Sequence, residues 1–99
     1  MNPVVVSVGD RRRSLAELDL PLDPQSLLPG GRRWEVEIGF GKGRFLLATA
    51  AERPHDRFVG IEVASKYFRL AERRAVRRGL DNVALVRGEA LYLLSAVLP

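Results

Sequence analysis

From Trp34 the chain alternates apolar and acidic residues through Ile38, and this period of two predicts a strand with one apolar side. The strand runs into Gly39-Phe40-Gly41-Lys42-Gly43, a glycine-rich turn. Good helix formers follow from Arg44 to Arg53, with Phe45, Leu47, Ala48 and Ala51 expected near one face, and Pro54-His55-Asp56 ends that helix. Phe58 to Val63 is a short apolar run with Glu62 near its end, as in a buried parallel strand. Ser65 is placed to cap a second helix through Arg78, and Gly79 to close it. Asn82 to Val86 predicts a third strand and Glu89 to Leu98 a third helix, stopped by Pro99. Ahead of this series the pattern is weaker. Val4 to Val8 predicts a short strand, Gly9-Asp10 a turn, and Ser14 to Leu20 a strand or short helix. Pro21, Pro24, Pro29 and Gly30-Gly31 then punctuate a connecting stretch.

Strand–helix alternation at this spacing implies an α/β fold, with a parallel sheet and right-handed crossovers. The chain has 99 residues and no cysteine, which excludes disulfides, thiolate–metal sites and cysteine nucleophiles. His55 is the one histidine, so no histidine pair can hold zinc and no metal site is expected. His55 itself reads as a surface turn residue, and Trp34 as a core or interface residue. No apolar run nears the roughly 20 residues that span a bilayer, and Met1 to Asp10 lacks a basic leader. A cytoplasmic protein without a membrane partner is expected.

Charge changes the picture at the C-terminal end. The formal net charge is +4; residues 1–31 carry −1, residues 32–62 carry +1, and residues 63–99 supply the remaining +4. Arg73, Arg74, Arg77 and Arg78 sit at i, i+4 spacing on the second predicted helix, two ridges of guanidinium expected on one solvent-facing side. Such a cluster suits either a solvated face or the phosphates of a nucleic acid.

In a parallel sheet, ligands bind beyond the C-terminal ends of the strands. The turn Gly39 to Gly43, Glu62, and Gly88-Glu89 all fall there. Glycines let backbone approach a ligand closely, and the following helix start offers unpaired N–H groups. Glu62 lies nineteen residues past Gly43, near the interval at which nucleoside-binding folds set an acid on the ribose diol. Glu37 would repel a pyrophosphate, and the spacing Gly-x-Gly-x-Gly is neither the dinucleotide pattern nor a Walker motif. A cationic ligand with an amino-acid tail, such as S-adenosylmethionine, tolerates the acid.

The runs Glu37-Ile38-Gly39-Phe40-Gly41-Lys42-Gly43 and Phe58-Val59-Gly60-Ile61-Glu62-Val63 resemble those of class I S-adenosylmethionine-dependent methyltransferases, above all the bacterial tRNA (guanine-N7)-methyltransferases. The resemblance spans roughly Trp34 to Leu94. It implies a partial Rossmann-like sheet of about three strands, S-adenosylmethionine as cofactor and tRNA as partner. Residues 1–31 would be an N-terminal arm and residues 32–99 the N-terminal half of the cofactor-binding domain. Glu37, Gly39 and Gly41 would serve the methionine end, Glu62 the ribose hydroxyls, and Glu89 with Ala90 the adenine. Glu89 departs from the family, which has Asp there. The family's later Pro-Asp-Pro-Trp-Pro-Lys and Thr-Asp segments are absent before Pro99, so no catalytic residue is assigned. The chain alone is expected to be inactive, with the edge at Val36 and Ile38 open and partly covered at most by Val4 to Val8. Alternatives are another class I methyltransferase, an NAD-binding Rossmann fragment, and a noncatalytic RNA-binding module using the basic helix.

Overall fold

A computed structural model describes residues 5–9, 11–14, 28–31 and 33–89. Five strands, β1 (Val5–Val8), β2 (Arg11–Ser14), β3 (Trp34–Ile38), β4 (Arg57–Glu62) and β5 (Val83–Arg87), form one sheet in the order β2-β1-β5-β4-β3. Helices α1 (Arg44–Glu52) and α2 (Ser65–Arg78) make the crossovers between the parallel strands β3, β4 and β5. The α/β expectation holds, with an antiparallel hairpin added. The helix expected over Glu89 to Leu98 lies outside the described residues beyond Glu89, as does all but Ser14 of the element expected over Ser14 to Leu20.

The hairpin corrects one expectation. β1 pairs antiparallel with β5, from Val5 beside Arg87 to Val8 beside Ala84, so it joins the edge opposite β3 and leaves the β3 edge uncovered among the described residues. Its apolar residues decide this: Val6 is fully buried beside Val86, in a cluster with Leu28, Val59, Ile61 and Ala84. Trp34 and Val36 pack against that cluster. On the other sheet face Phe58, Val83 and Leu85 meet Leu46, Leu47 and Ala50 of α1 and Phe68, Ala71 and Ala75 of α2. Both faces of β4 and β5 are therefore buried, as their apolar runs require.

Helix α1 presents a different stripe from the one expected. Leu46, Leu47 and Ala50 point inward, while Phe45 is 76% exposed and Ala48 and Ala51 face solvent. The observed set keeps the i, i+1, i+4 geometry of a helix face but is rotated, because Gly43 and Leu47 pack onto Ala71 and Leu46 packs onto Gly60. The start of α2 also differs. Its N-cap is Ala64, not Ser65, with no side-chain cap bond. The Ala64 N–H instead donates to Glu62 Oε2 at 3.0 Å, which closes the strand–helix turn without a hydroxyl. Gly79 ends α2 in the left-handed region, as expected.

Polar side chains fasten the layers. Asn82, 2% exposed, donates from Nδ2 to the carbonyls of Ala50, Arg53 and Asp56 at 2.9–3.1 Å, satisfying acceptors at the C-terminal end of α1 and the turn after it. Arg53 spans Glu35 of β3 and Asp56, with its guanidinium over the Phe58 ring. Arg12 of β2 grips Glu72 of α2 through Nε and a second nitrogen, and lies over the Phe68 ring. Burial pushes the Glu72 carboxyl upward, but hydrogen bonds from Arg12 and Ser7 and the Arg12 charge outweigh it, and its pKa falls below the usual range.

Two outcomes are expected. Asn82→Ala removes three hydrogen bonds, to carbonyls that each keep a second donor, and should cost about 1–3 kcal/mol in urea unfolding, with the slope unchanged. The depressed Glu72 pKa contributes stability that is complete above its unfolded value and lost as the pH falls through the folded value. Amide exchange in β1, corrected for intrinsic rates, should therefore accelerate on acidification. A Glu72→Gln protein should show a smaller acid response in β1.

Candidate cofactor site

The turn after β3 lies where β3 and β4 end together, with Ile38 level with Ile61. The Gly39 N–H donates to the Ile61 carbonyl at 2.7 Å and the Gly43 N–H to the Phe40 carbonyl at 3.0 Å. Gly39, Gly41 and Gly43 take φ of 72°, 61° and 81°, in the region that side chains disfavour. Gly43 has a second constraint: a Cβ there would stand 2.8 Å from the Ala71 Cβ, so this glycine lets α1 begin against α2. Gly39 and Gly41 instead face open space on the side where a Cβ would point.

Phe40 is the inward residue of the turn. It is buried, and its ring fills the space over Gly60, where a Cβ would meet Leu46 at 2.5 Å and Phe40 at 2.7 Å. Phe40 and Gly60 both lie within the two motif runs, which assign neither of them a role. The available signal is a glycine in mid-strand, which marks a close approach of another group.

Glu62, 8% exposed, ends β4. Its Oε1 accepts the Gly41 N–H at 2.7 Å and its Oε2 the Ala64 N–H. One carboxylate thus holds both turns that border the ends of β3 and β4. Each oxygen retains a second lone pair for a hydroxyl donor. Glu37 lies level with Gly60 and opens onto a groove of about 350 Å³ with Glu35, Phe45 and Thr49 among its walls. Burial pushes the Glu37 carboxyl above its ordinary range, and among the described residues it has no cationic partner. A cationic ligand group would relieve that cost. Glu89 is exposed just beyond β5, and Ala90 lies outside the described residues. His55 occupies the turn before β4, at the opposite end of the strands.

The basic helix divides. Arg73, Arg77 and Arg78 face solvent, but Arg74 turns toward the glycine-rich turn and donates to the Lys42 carbonyl at 3.0 Å. Arg73 and Arg77 flank a groove toward the hairpin. The two ridges therefore do not form one side. A step of one residue turns a helix by about 100°, enough to send neighbouring arginines to different elements.

The Methyltransf_4 model, that of a methyltransferase family, matches residues 32–99. The chain belongs to this family. Among similar proteins, the tRNA (guanine-N(7)-)-methyltransferase of Levilactobacillus brevis is 39% identical over 69 residues, covering 68% of this chain and 32% of the relative. That of Thermotoga maritima is 38% identical over 79 residues, covering 80% and 25%. That of Deinococcus radiodurans is 36% identical over 90 residues, covering 86% and 27%. The chain thus spans about a quarter to a third of the length of these relatives. A crystal structure of the antibiotic-resistance methyltransferase Kmr is similar with a TM-score of 0.66 and 25% identity, covering 96% of this chain and 46% of that one. A 16S rRNA (adenine(1408)-N(1))-methyltransferase variant from Catenulisporales acidiphilia shares the fold, with a TM-score of 0.64 and 23% identity over 88% of this chain and 43% of that one. The Methyltransf_4 match takes in β3, β4 and β5 with both helices, and begins after the hairpin.

Glu37→Gln separates stability from ligand use. Removing a carboxylate that burial disfavours should leave the melting temperature equal or higher at pH 7. The same change should weaken S-adenosylhomocysteine binding in calorimetry.

Proposed function

We propose that this chain forms the cofactor-binding part of an S-adenosylmethionine-dependent tRNA (guanine-N7)-methyltransferase. The single observation that carries the reading is the Glu62 carboxylate bridging the glycine-rich turn and the start of α2, beside two glycines whose ligand side is open. The names of the relatives supply the choice of tRNA and of guanine N7.

The residues divide the cofactor between them. Glu37 suits the ammonium of its methionine portion, while Gly39 and Gly41 allow close backbone approach. Glu62 suits the ribose diol through the lone pairs its backbone partners leave, and Glu89 lies on the side expected for adenine. Bound S-adenosylmethionine supplies a methyl carbon made electrophilic by its sulfonium. Guanine N7 already bears a lone pair, so the protein need not remove a proton to create the nucleophile. Orientation and proximity are then the main contributions, and no general base is called for among the described residues.

A dinucleotide reading fares worse. The open glycines would suit a pyrophosphate, but Glu37, two residues before Gly39 in the chain, is an uncompensated carboxylate.

Titration with S-adenosylhomocysteine and with NAD tests the reading. The first should bind and the second should not. Glu62→Ala removes two charge-assisted hydrogen bonds from the turns and the ribose acceptor together, each such bond contributing about 1.5–3 kcal/mol. S-adenosylhomocysteine affinity should fall at least tenfold. Unchanged affinity with the fold intact by circular dichroism would refute the assignment of Glu62.

A further inference from the structure

The hairpin carries Arg11, Arg12 and Arg13 in succession on β2, the outermost strand of the sheet. Side chains alternate along a strand, and Arg12 is the one that turns to α2, where Glu72 holds it. Arg11 and Arg13 therefore leave from the opposite face of the same edge. Across the groove from Arg12, α2 contributes Arg73 and Arg77, with Val76 between them and Gly9 of the hairpin turn at one end. The groove encloses about 500 Å³. Among the described residues Glu72 is the only acid lining it, and Arg12 already pairs with it. Among the described residues, Arg11, Arg13, Arg73 and Arg77 have no ion-pair partner.

Arginine on an edge strand has an ordinary use, since charge there discourages pairing with other chains. That use does not account for Arg73 and Arg77, which stand on a different element across the groove from Arg12. Nor is the position that of the cofactor. β1 runs from Val5, level with Arg87, to Val8, level with Ala84, and Arg87 is itself level with Glu62. The hairpin turn thus lies roughly 10–15 Å down the strands from the Glu62 end. A small anion at the cofactor site would not reach it, whereas a polynucleotide is long enough to touch both.

We infer that the β2 edge is a phosphate-binding edge, straddled by the backbone of a folded RNA that meets Arg11 and Arg13 on one face of the sheet and Arg73 and Arg77 of the α2 groove on the other, while its target base reaches the other end of the sheet. The choice of RNA rests on the function proposed above; the surface itself rests on the placement of the arginines. Arg12 is a positioning residue here: its bond to Glu72 sets the hairpin against α2. Arg11, Arg13, Arg73 and Arg77 make the contacts. Such contacts position RNA and carry no sequence information.

The test is a fluorescence titration of the protein with a labelled tRNA transcript over a range of salt concentrations. Arg11→Gln/Arg13→Gln and Arg73→Gln/Arg77→Gln remove two cations each, and Arg33→Gln removes an exposed cation just before β3, on the far edge of the sheet. Each of the two pairs should weaken binding about tenfold in 0.1 M salt and reduce the log–log salt slope by about 1.5–2. Arg33→Gln should change affinity less than twofold, and Arg11→Lys/Arg13→Lys should keep the original slope. The surface is overturned if the hairpin pair behaves like Arg33→Gln, or if the unaltered protein binds no tRNA. S-adenosylhomocysteine titration of the same proteins reports separately on the cofactor reading, because none of these arginines borders the glycine-rich turn. Loss of cofactor binding in the unaltered protein counts against the methyltransferase assignment, while the RNA titration alone decides the surface.

Discussion

The bare backbone at Gly60 lets Leu46 and Phe40 approach β4 to where a Cβ would stand within 2.5–2.7 Å of them, and much of the described molecule is arranged around that contact. Leu46 and Phe40 press onto the bare backbone of β4 from the helical side, so α1 and the glycine-rich turn are seated on the middle strand of the parallel set. Once Phe40 is seated, the Gly41 amide stands within reach of the Glu62 carboxylate, two residues further along the same strand. Packing and polar chemistry are thus joined through one short stretch of β4. Adding a methyl group at position 60 would require the Leu46 and Phe40 side chains to give way.

Glu62 shows how a structural residue can also be the one proposed for binding. Its two oxygens hold the ends of two separate crossovers, and that fixes the direction in which the remaining lone pairs point. Preorganisation of this kind reduces the ordering that ligand binding must otherwise impose. Glu37 is the contrasting case: partly desolvated and unpaired, it carries an electrostatic cost until a cation arrives. The site therefore combines an acid that is already satisfied with one that is not.

Several elements were legible from local pattern alone. Trp34–Ile38 declared itself by alternation, and α2 by its length and the glycine at its end. β2 was illegible because Arg11-Arg12-Arg13-Ser14 has no apolar period; it is a strand by virtue of its pairing with β1. The hairpin's location was equally hidden, since choosing the β5 edge depends on Val6 fitting a cluster drawn from three other strands and Leu28. The rotation of α1 and the cap at Ala64 were decided by Gly60 and Glu62, which are distant from the helix face in one case and upstream of it in the other. The candidate cofactor acids were found by motif. Asn82, which ties α1 to the start of β5, and the split of Arg74 from Arg73 required three dimensions.

The pairing of β1 with β5 also bears on the order in which the molecule assembles. Val5–Val8 are synthesised nearly eighty residues ahead of their antiparallel partner Val83–Arg87. The hairpin must wait, with Val6 and Val8 uncovered by β5, until almost the whole described chain has emerged. Closing so long a loop is entropically costly and slows folding relative to local contacts. The parallel core of β3, β4 and their helix can collapse earlier, because each of its elements meets a neighbour close in sequence. The hairpin is then a late fastening, and the arginines that make its strand so polar also keep it soluble during that delay.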